Sequence, residues 1–360
     1  MTTPQKGRLD RVRVPGMSCA RRLLIYPVFV FASLMAPALA SNAIADPAKP
    51  SLAELLDGTI LEKKVGDILK GEKVSVAAPE TTRREMAVGI ACLIPPGRTT
   101  SLELFHNSEA IMPEDYRDTS GPIDPANPEA GLATLEFGKN GRGEVKRYLS
   151  AEPGWEISLS SEEIAGFRAL EPKAGEEHTT VEAELRRMLA ERVRSYHLRG
   201  LAGIADFDRG EDGKSSVSQD LRDSTVASVG IQKRMPTAYR ALTAYPLIIE
   251  GVEGKSFYFW TRARGLGRTL FMLNQRLTAD VDGGSIVVER QFYATEFFAA
   301  GQTLTGIIPV QEGTLFFYVN HSFVDRWKGF GTGAKRNIGR TMINKIMRQV
   351  ADEYGLCEGS

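Results

Sequence analysis

"FYFWTR", Phe257 to Arg262, puts aromatic rings on both sides of what its β-forming residues mark as a strand. Side chains alternate between faces in an extended chain, so Phe257 and Phe259 share one side while Tyr258 and Trp260 share the other. A sheet with one wet face shows a polar residue at every second position. This stretch does not, and it predicts a sheet that is covered on both faces or curled around an interior. Leu270 to Val281, Ser285 to Phe298 and Thr314 to Val324 have the same long, aromatic and β-branched character. Turns such as Asp282-Gly283-Gly284 and Glu312-Gly313 separate them, so the pattern predicts antiparallel strands.

Downstream, Thr332 to Tyr354 reads as one helix. Ile338, Met342, Ile343, Ile346, Met347, Val350 and Tyr354 recur at three-and-four spacing, opposite Lys335, Arg336, Arg340, Lys345 and Arg348. This is the pattern of a helix laid along a sheet with its basic face in water. A basic amphipathic helix can also touch an anionic membrane surface transiently. Upstream, Ser51 with Glu54 and Ser160 with Glu163 form capping boxes that open helices. Helical stripes also fall at Thr179 to Gly200, Gln219 to Val229 and Thr237 to Tyr245. Short strands are expected at Thr59 to Val65, Arg84 to Ile94 and Leu132 to Phe137, a helical turn or two at Arg98 to Asn107, and loop from Met112 to Pro128. The fold class is α+β: a curved antiparallel sheet packed on a long C-terminal helix, with a helical insertion at about 155–245.

The first forty-five residues read separately. Arg8, Arg11, Arg13, Arg21 and Arg22 precede the apolar run Leu23 to Ala36, and small-residue sites follow at Ala38-Leu39-Ala40 and Ala43-Ile44-Ala45. That is the layout of a secretory signal peptide, too short and too proline-interrupted for a membrane span. Residues 1–45 are therefore expected to leave, with 46–360 forming a single periplasmic or secreted domain. Of the balanced charge (net +0), residues 1–40 hold six basic side chains and Asp10, so the remainder sits near −5. Nucleic-acid binding relies on excess Lys and Arg, which this chain lacks. Cys92 and Cys357 remain after cleavage. They can bridge in an oxidising compartment, or Cys92 can stay a buried thiol in its apolar run; spacing alone leaves both open.

Chemical signatures are sparse. "WKGFGTGAKR", Trp327 to Arg336, looks like a phosphate cradle but lacks the Lys-Ser/Thr of a P-loop and the spacing of a dinucleotide fingerprint, so no nucleotide is expected. His106, His178, His197 and His321 are too scattered for zinc, and Gly283-Gly284-Ser285-Ile286-Val287 fails as a nucleophile elbow. No metal or cofactor is expected. Polar groups inside the apolar strands stand out instead: Asn274, Arg276, Gln291, Glu296, Asn320 and His321, then Asp325. A buried charge needs a partner, and Arg276 with Glu296 is the expected pair.

The order of elements, with "LDGTILE" at Leu56 to Glu62 followed by "MAVGIACLIPPG" at Met86 to Gly97, resembles the helix-grip layout of START and Bet v 1-like proteins. "VVERQFYATEFF", "GLAGIADFDRG" and "GFGTGAKR" are similar to a family of exported bacterial proteins that more often carries Ser-His where this chain has Thr295 and Glu296. The helix-grip resemblance implies an apolar cavity between sheet and last helix for a lipid or other hydrophobic small molecule. Its expected lining is Phe257, Phe259, Phe271, Phe292, Phe298 and Phe317, with Arg276, Glu296 and His321 as polar contacts. Two other classes compete: a periplasmic hydrolase using Tyr293, Glu296 and His321, and an envelope protein–protein interaction module.

Overall fold

Ser51, Asn127, Ser160, Ser216 and Ser228 stand at helix N-caps, and the two capping boxes at Ser51 and Ser160 close as read, each hydroxyl accepting the N–H three residues on. The computed structural model describes residues 49–96, 118–138, 141–245, 254–265, 268–296, 298–324, 332–353 and 357, all within the compact unit Ala48–Ser360. The chain begins with helices α1 (Leu52–Leu56) and α2 (Val65–Leu69), then strands β1 (Val74–Ala77), β2 (Glu85–Ile94) and β3 (Thr119–Ile123). Next come α3 (Pro128–Leu132), α4 (Gly141–Leu149), α5 (Ser161–Arg168) and α6 (Glu177–Arg199), and a small ribbon of β4 (Phe207–Asp208) with β5 (Lys214–Ser215). Helices α7 (Val217–Val226), α8 (Val229–Arg234) and α9 (Pro236–Ala244) complete the helical middle. Strands β6 (Gly254–Gly265), β7 (Arg268–Val281), β8 (Gly284–Ala294), β9 (Phe298–Val310) and β10 (Gly313–Val324) precede the last helix, α10 (Thr332–Glu353).

Eight strands make one antiparallel sheet in the order β1-β2-β10-β9-β8-β7-β6-β3. Register assigns the faces. Phe316 lies opposite Cys92 on one side and Ile307 on the other, and this face buries Met347 and Ala351 of α10. Phe317 belongs to the opposite face, which carries two clusters. One gathers α1, α8 and α9 over Leu304, Ile308 and Leu315; the other gathers the insertion helices over Phe271, Leu273 and Phe292. The aromatic doubling of β6 is matched on one face by the insertion core over Tyr258 and Trp260, and on the other by the Arg276 guanidinium beside Phe257 and Phe259. Among the described residues, no helix is long and apolar enough to cross a membrane. Cys92 and Cys357 form a disulfide that ties the C-terminal tail to β2.

Several expected elements differ. Thr59 to Val65 is not a strand: the Thr59 hydroxyl donates to the Leu56 carbonyl and accepts the Leu61 N–H, turning the chain into a short 3-10 helix and α2. Leu132 to Phe137 is the end of α3 and an irregular run. Its Leu135 and Phe137 are buried by the insertion core, and the Phe137 N–H is satisfied by the Glu182 carboxylate rather than by a strand. The expected loop from Met112 to Pro128 contains β3, where Gly121 lets the Trp260 ring lie across the strand; a Cβ there would sit 2.7 Å from the indole nitrogen. Ser285 to Phe298 is two strands, since β8 ends at Ala294 and the chain turns at Thr295 and Glu296. The turn expected at Arg98 to Asn107 lies outside the described residues.

Candidate functional site

A cavity of about 170 Å3 lies on the sheet face opposite α10, between β9 and β10 on one side and the α1–α2 and α8 segments on the other. Its floor is Leu304, Ile308, Leu315, Phe317 and Val319, the outward-pointing residues of two neighbouring strands. Ile60 and Val229 line it too, yet are 41% and 56% exposed, so they mark its mouth. The cavity expected between sheet and last helix is instead on the other side. The reason is local: Met347, Ala351 and the disulfide pack directly on β2 and fill the space under α10.

Phe317 owes its position to a glycine. Gly306 stands opposite it in the β9–β10 register, and a Cβ there would lie 2.0 Å from the Phe317 ring. Gly306→Ala is therefore expected to force the ring aside and cost about 1–3 kcal/mol of stability, read as a fall in the urea midpoint.

His321 lines the same cavity. Its Nδ1 lies 2.6 Å from Glu85 Oε1, and both side chains are buried. β2 and β10 place them side by side, with His321 opposite Ala87 and Glu85 opposite Phe323. The Thr81 hydroxyl donates to Glu85 Oε2 at 2.6 Å, and the Thr81 N–H points to the same oxygen. Burial pushes the Glu85 carboxyl up, but the hydrogen bonds from His321 and Thr81 outweigh it and hold the group below the usual carboxylate range. The stability this group contributes is present above its unfolded value, about 4.3, and is lost as pH falls through the lower folded value. Glu85→Gln is expected to flatten the acid-side slope of unfolding free energy against pH below about 4.3, measured by urea titration at a series of pH values.

Glu296 and Tyr293 belong elsewhere. Glu296 Oε2 accepts from Arg147 at 2.6 Å and Arg268 at 2.8 Å, and Arg147 also reaches Glu144 at 2.6 Å. Tyr293 packs beneath the Arg192 guanidinium, 4.3 Å from its ring centroid, and burial pushes its phenol well up. Glu296 Oε1, Tyr148 Oη, Tyr293 Oη and Arg147 Nε are buried with no hydrogen-bond partner. The expected Glu296–Arg276 pair does not form: Arg276 binds Glu289 at 2.7 Å, its direct neighbour across β7 and β8. Nor do Glu296 and His321 make one acid/base unit, because each is committed to a different partner.

The remaining expected lining residues also divide. Phe257 and Phe259 are on the α10 face beside Arg276, whose guanidinium lies 5.1 and 5.3 Å from their rings. Phe271 and Phe292 are core residues of the insertion layer, Phe292 stacked on Tyr196 at 4.2 Å. Phe298 opens β9, and its side chain lies outside the described residues. Of the expected set, among the described side chains, only Phe317 and His321 reach the cavity. Glu85 and the α1–α2 and α8 residues were missed. The available signal was an acid at the head of the apolar run Met86 to Ile94, a position where burial demands a partner. Among the described residues, no group of His, Cys, Asp and Glu side chains could hold a metal ion. Comparison with family models, with curated proteins and with solved structures gives no match.

Proposed function

We propose that this is an exported protein that binds a small apolar ligand, or the end of a longer lipid, in the cavity over Phe317. The observation that carries the reading is that cavity: about 170 Å3, floored by aliphatic and aromatic side chains, with a mouth at Ile60 and Val229. An apolar cavity of roughly 150 Å3 stays dry and takes up benzene, so this one suits a ring or a short stretch of acyl chain rather than a whole lipid. Export is supported by the leader-like first forty-five residues and by the Cys92–Cys357 bridge, a bond that persists in oxidising compartments. In the same reading the fold is helix-grip-like, supported by the order of elements and by α10 lying over β2. We do not extend the proposal to membrane contact through α10, since Arg336 and Arg340 are both paired with Glu80.

Native mass spectrometry of protein recovered from exporting cells tests this. An apolar adduct on the wild type that is missing from Leu304→Trp, which fills the floor, is the expected result. Toluene at a hundred times its Kd should then stabilise the wild type by about 2.7 kcal/mol and leave the filled variant unmoved. A clean apo mass together with no toluene effect would remove the reading.

A further inference from the structure

Most of the polar side chains that reach this apolar cavity are already committed. Thr59 donates its hydroxyl hydrogen to the Leu56 carbonyl, and Ser228 donates to the Ser224 carbonyl. Arg234 spends its Nη2 on the Asp57 carbonyl at 2.7 Å and lies 3.5 Å from the Asp57 carboxylate, while its buried Nε has no partner. His321 also keeps a position open, because Glu85 takes Nδ1 and no bond to the other ring nitrogen is made among the described residues. We infer that the ligand of this cavity is an apolar compound bearing one hydroxyl group, a phenol or a compact alcohol, with the hydroxyl on His321 Nε2. This rests on the binding reading above and adds the chemical class.

The argument is one of matching donors and acceptors. With Nδ1–H donating to the Glu85 carboxylate, a neutral ring offers Nε2 as an acceptor, and a doubly protonated ring offers it as a donor. A hydroxyl serves both states, since it donates and accepts. A hydrocarbon covers that nitrogen without giving it a partner. A carboxylate places a second negative charge behind the imidazole from Glu85, and the one guanidinium in the lining, Arg234, already has the Asp57 carboxylate 3.5 Å away. The hydroxyl class also explains why a buried acid is held in a sheet of apolar strands: Glu85 orients the ring, as a carboxylate does behind a metal-bound or catalytic histidine, without itself touching the guest.

Toluene, phenol and benzoate are suitable probes, being close in size to the cavity and differing only in the head group. The wild type and His321→Leu are titrated with each by calorimetry, phenol and toluene also in competition. The expected result is that the ratio of toluene to phenol affinity rises at least tenfold on His321→Leu, about 1.4 kcal/mol, while toluene binding is kept. Because His321→Leu strands the buried Glu85 carboxylate, the double variant His321→Leu, Glu85→Leu carries the same comparison should the single one not fold. If toluene binds and the ratio is unchanged, the hydroxyl class is wrong and the apolar cavity stands. Tighter binding of benzoate than phenol likewise overturns the class in favour of an anion. Failure of toluene to bind the wild type overturns both.

Discussion

Glu296→Ala is expected to lower the unfolding free energy by about 3–5 kcal/mol, seen as a fall in the urea midpoint with little change in slope. The carboxylate is fully buried and its Oε2 is shared by two guanidinium groups from different parts of the chain, Arg147 on α4 and Arg268 at the start of β7. Removing it leaves those cations facing each other. Arg268 is about a third exposed and can turn toward water, whereas Arg147 is only 15% exposed, so most of the cost falls on Arg147. Two carboxylates remain at hand: Glu144 holds Arg147 at 2.6 Å, and Glu156 reaches Arg268 at 3.1 Å. A loss below about 1 kcal/mol would mean that Glu144 and Glu156 together neutralise the site, and that the Glu296 pairs contribute no more than an exposed one. Glu296→Gln, which keeps an acceptor for one arginine, should fall between the two. Neither change should alter toluene affinity, because Glu296 does not line the cavity.

That pairing marks how far the sequence could be read. The extended strands, the last helix and both capping boxes follow from residue type and period, which act over a few neighbours. Ion-pair partners inside a sheet depend on register, and here one turn supplied the information. Asp282 and Gly283 both have positive φ, 54° and 75°, the geometry of a two-residue hairpin turn. Counting outward from Val281 opposite Gly284 brings Arg276 opposite Glu289. The Arg276–Glu289 pair was therefore legible, and Glu296, beyond the bulge at Leu273 and Asn274, was not available to it. β9 was harder. Gly301, Gly306 and Pro309 break its alternation, and Gly306 is there for the Phe317 ring, a contact that exists only once β10 is beside it. Glu85 and His321, 236 residues apart, could not be joined by any local rule. The cavity lies between sheet and helices that are distant in sequence, and for the same reason its lining showed only at Phe317 and His321.

Replacing both Cys92 and Cys357 with alanine is expected to cost about 2–5 kcal/mol, and to free the C-terminal segment before the rest unfolds. The bridge spans 265 residues, nearly the whole described chain. Loop-closure entropy grows only with the logarithm of length, so a bridge this long is worth about 1 kcal/mol more than one across a quarter as many residues. The larger consequence is local. Among the described side chains of α10, only Met347 and Ala351 are buried, with Ile343 and Ile346 partly so, while Ile338 and Met342 point outward at 69% and 49% exposure. Such a narrow contact holds a 22-residue helix weakly, and the covalent tie to β2 supplies what the packing lacks. Its loss should appear in hydrogen exchange as amides of α10 opening at a free energy well below the global value, with those of β7 and β8 unchanged. Equal protection of α10 in the wild type and the double variant would mean that the arginine contacts to Glu80 and the apolar seam on β2 suffice without the bridge. The cavity lies on the other face of the sheet, so toluene affinity should survive the substitution, separating the helix that is tied from the site that binds.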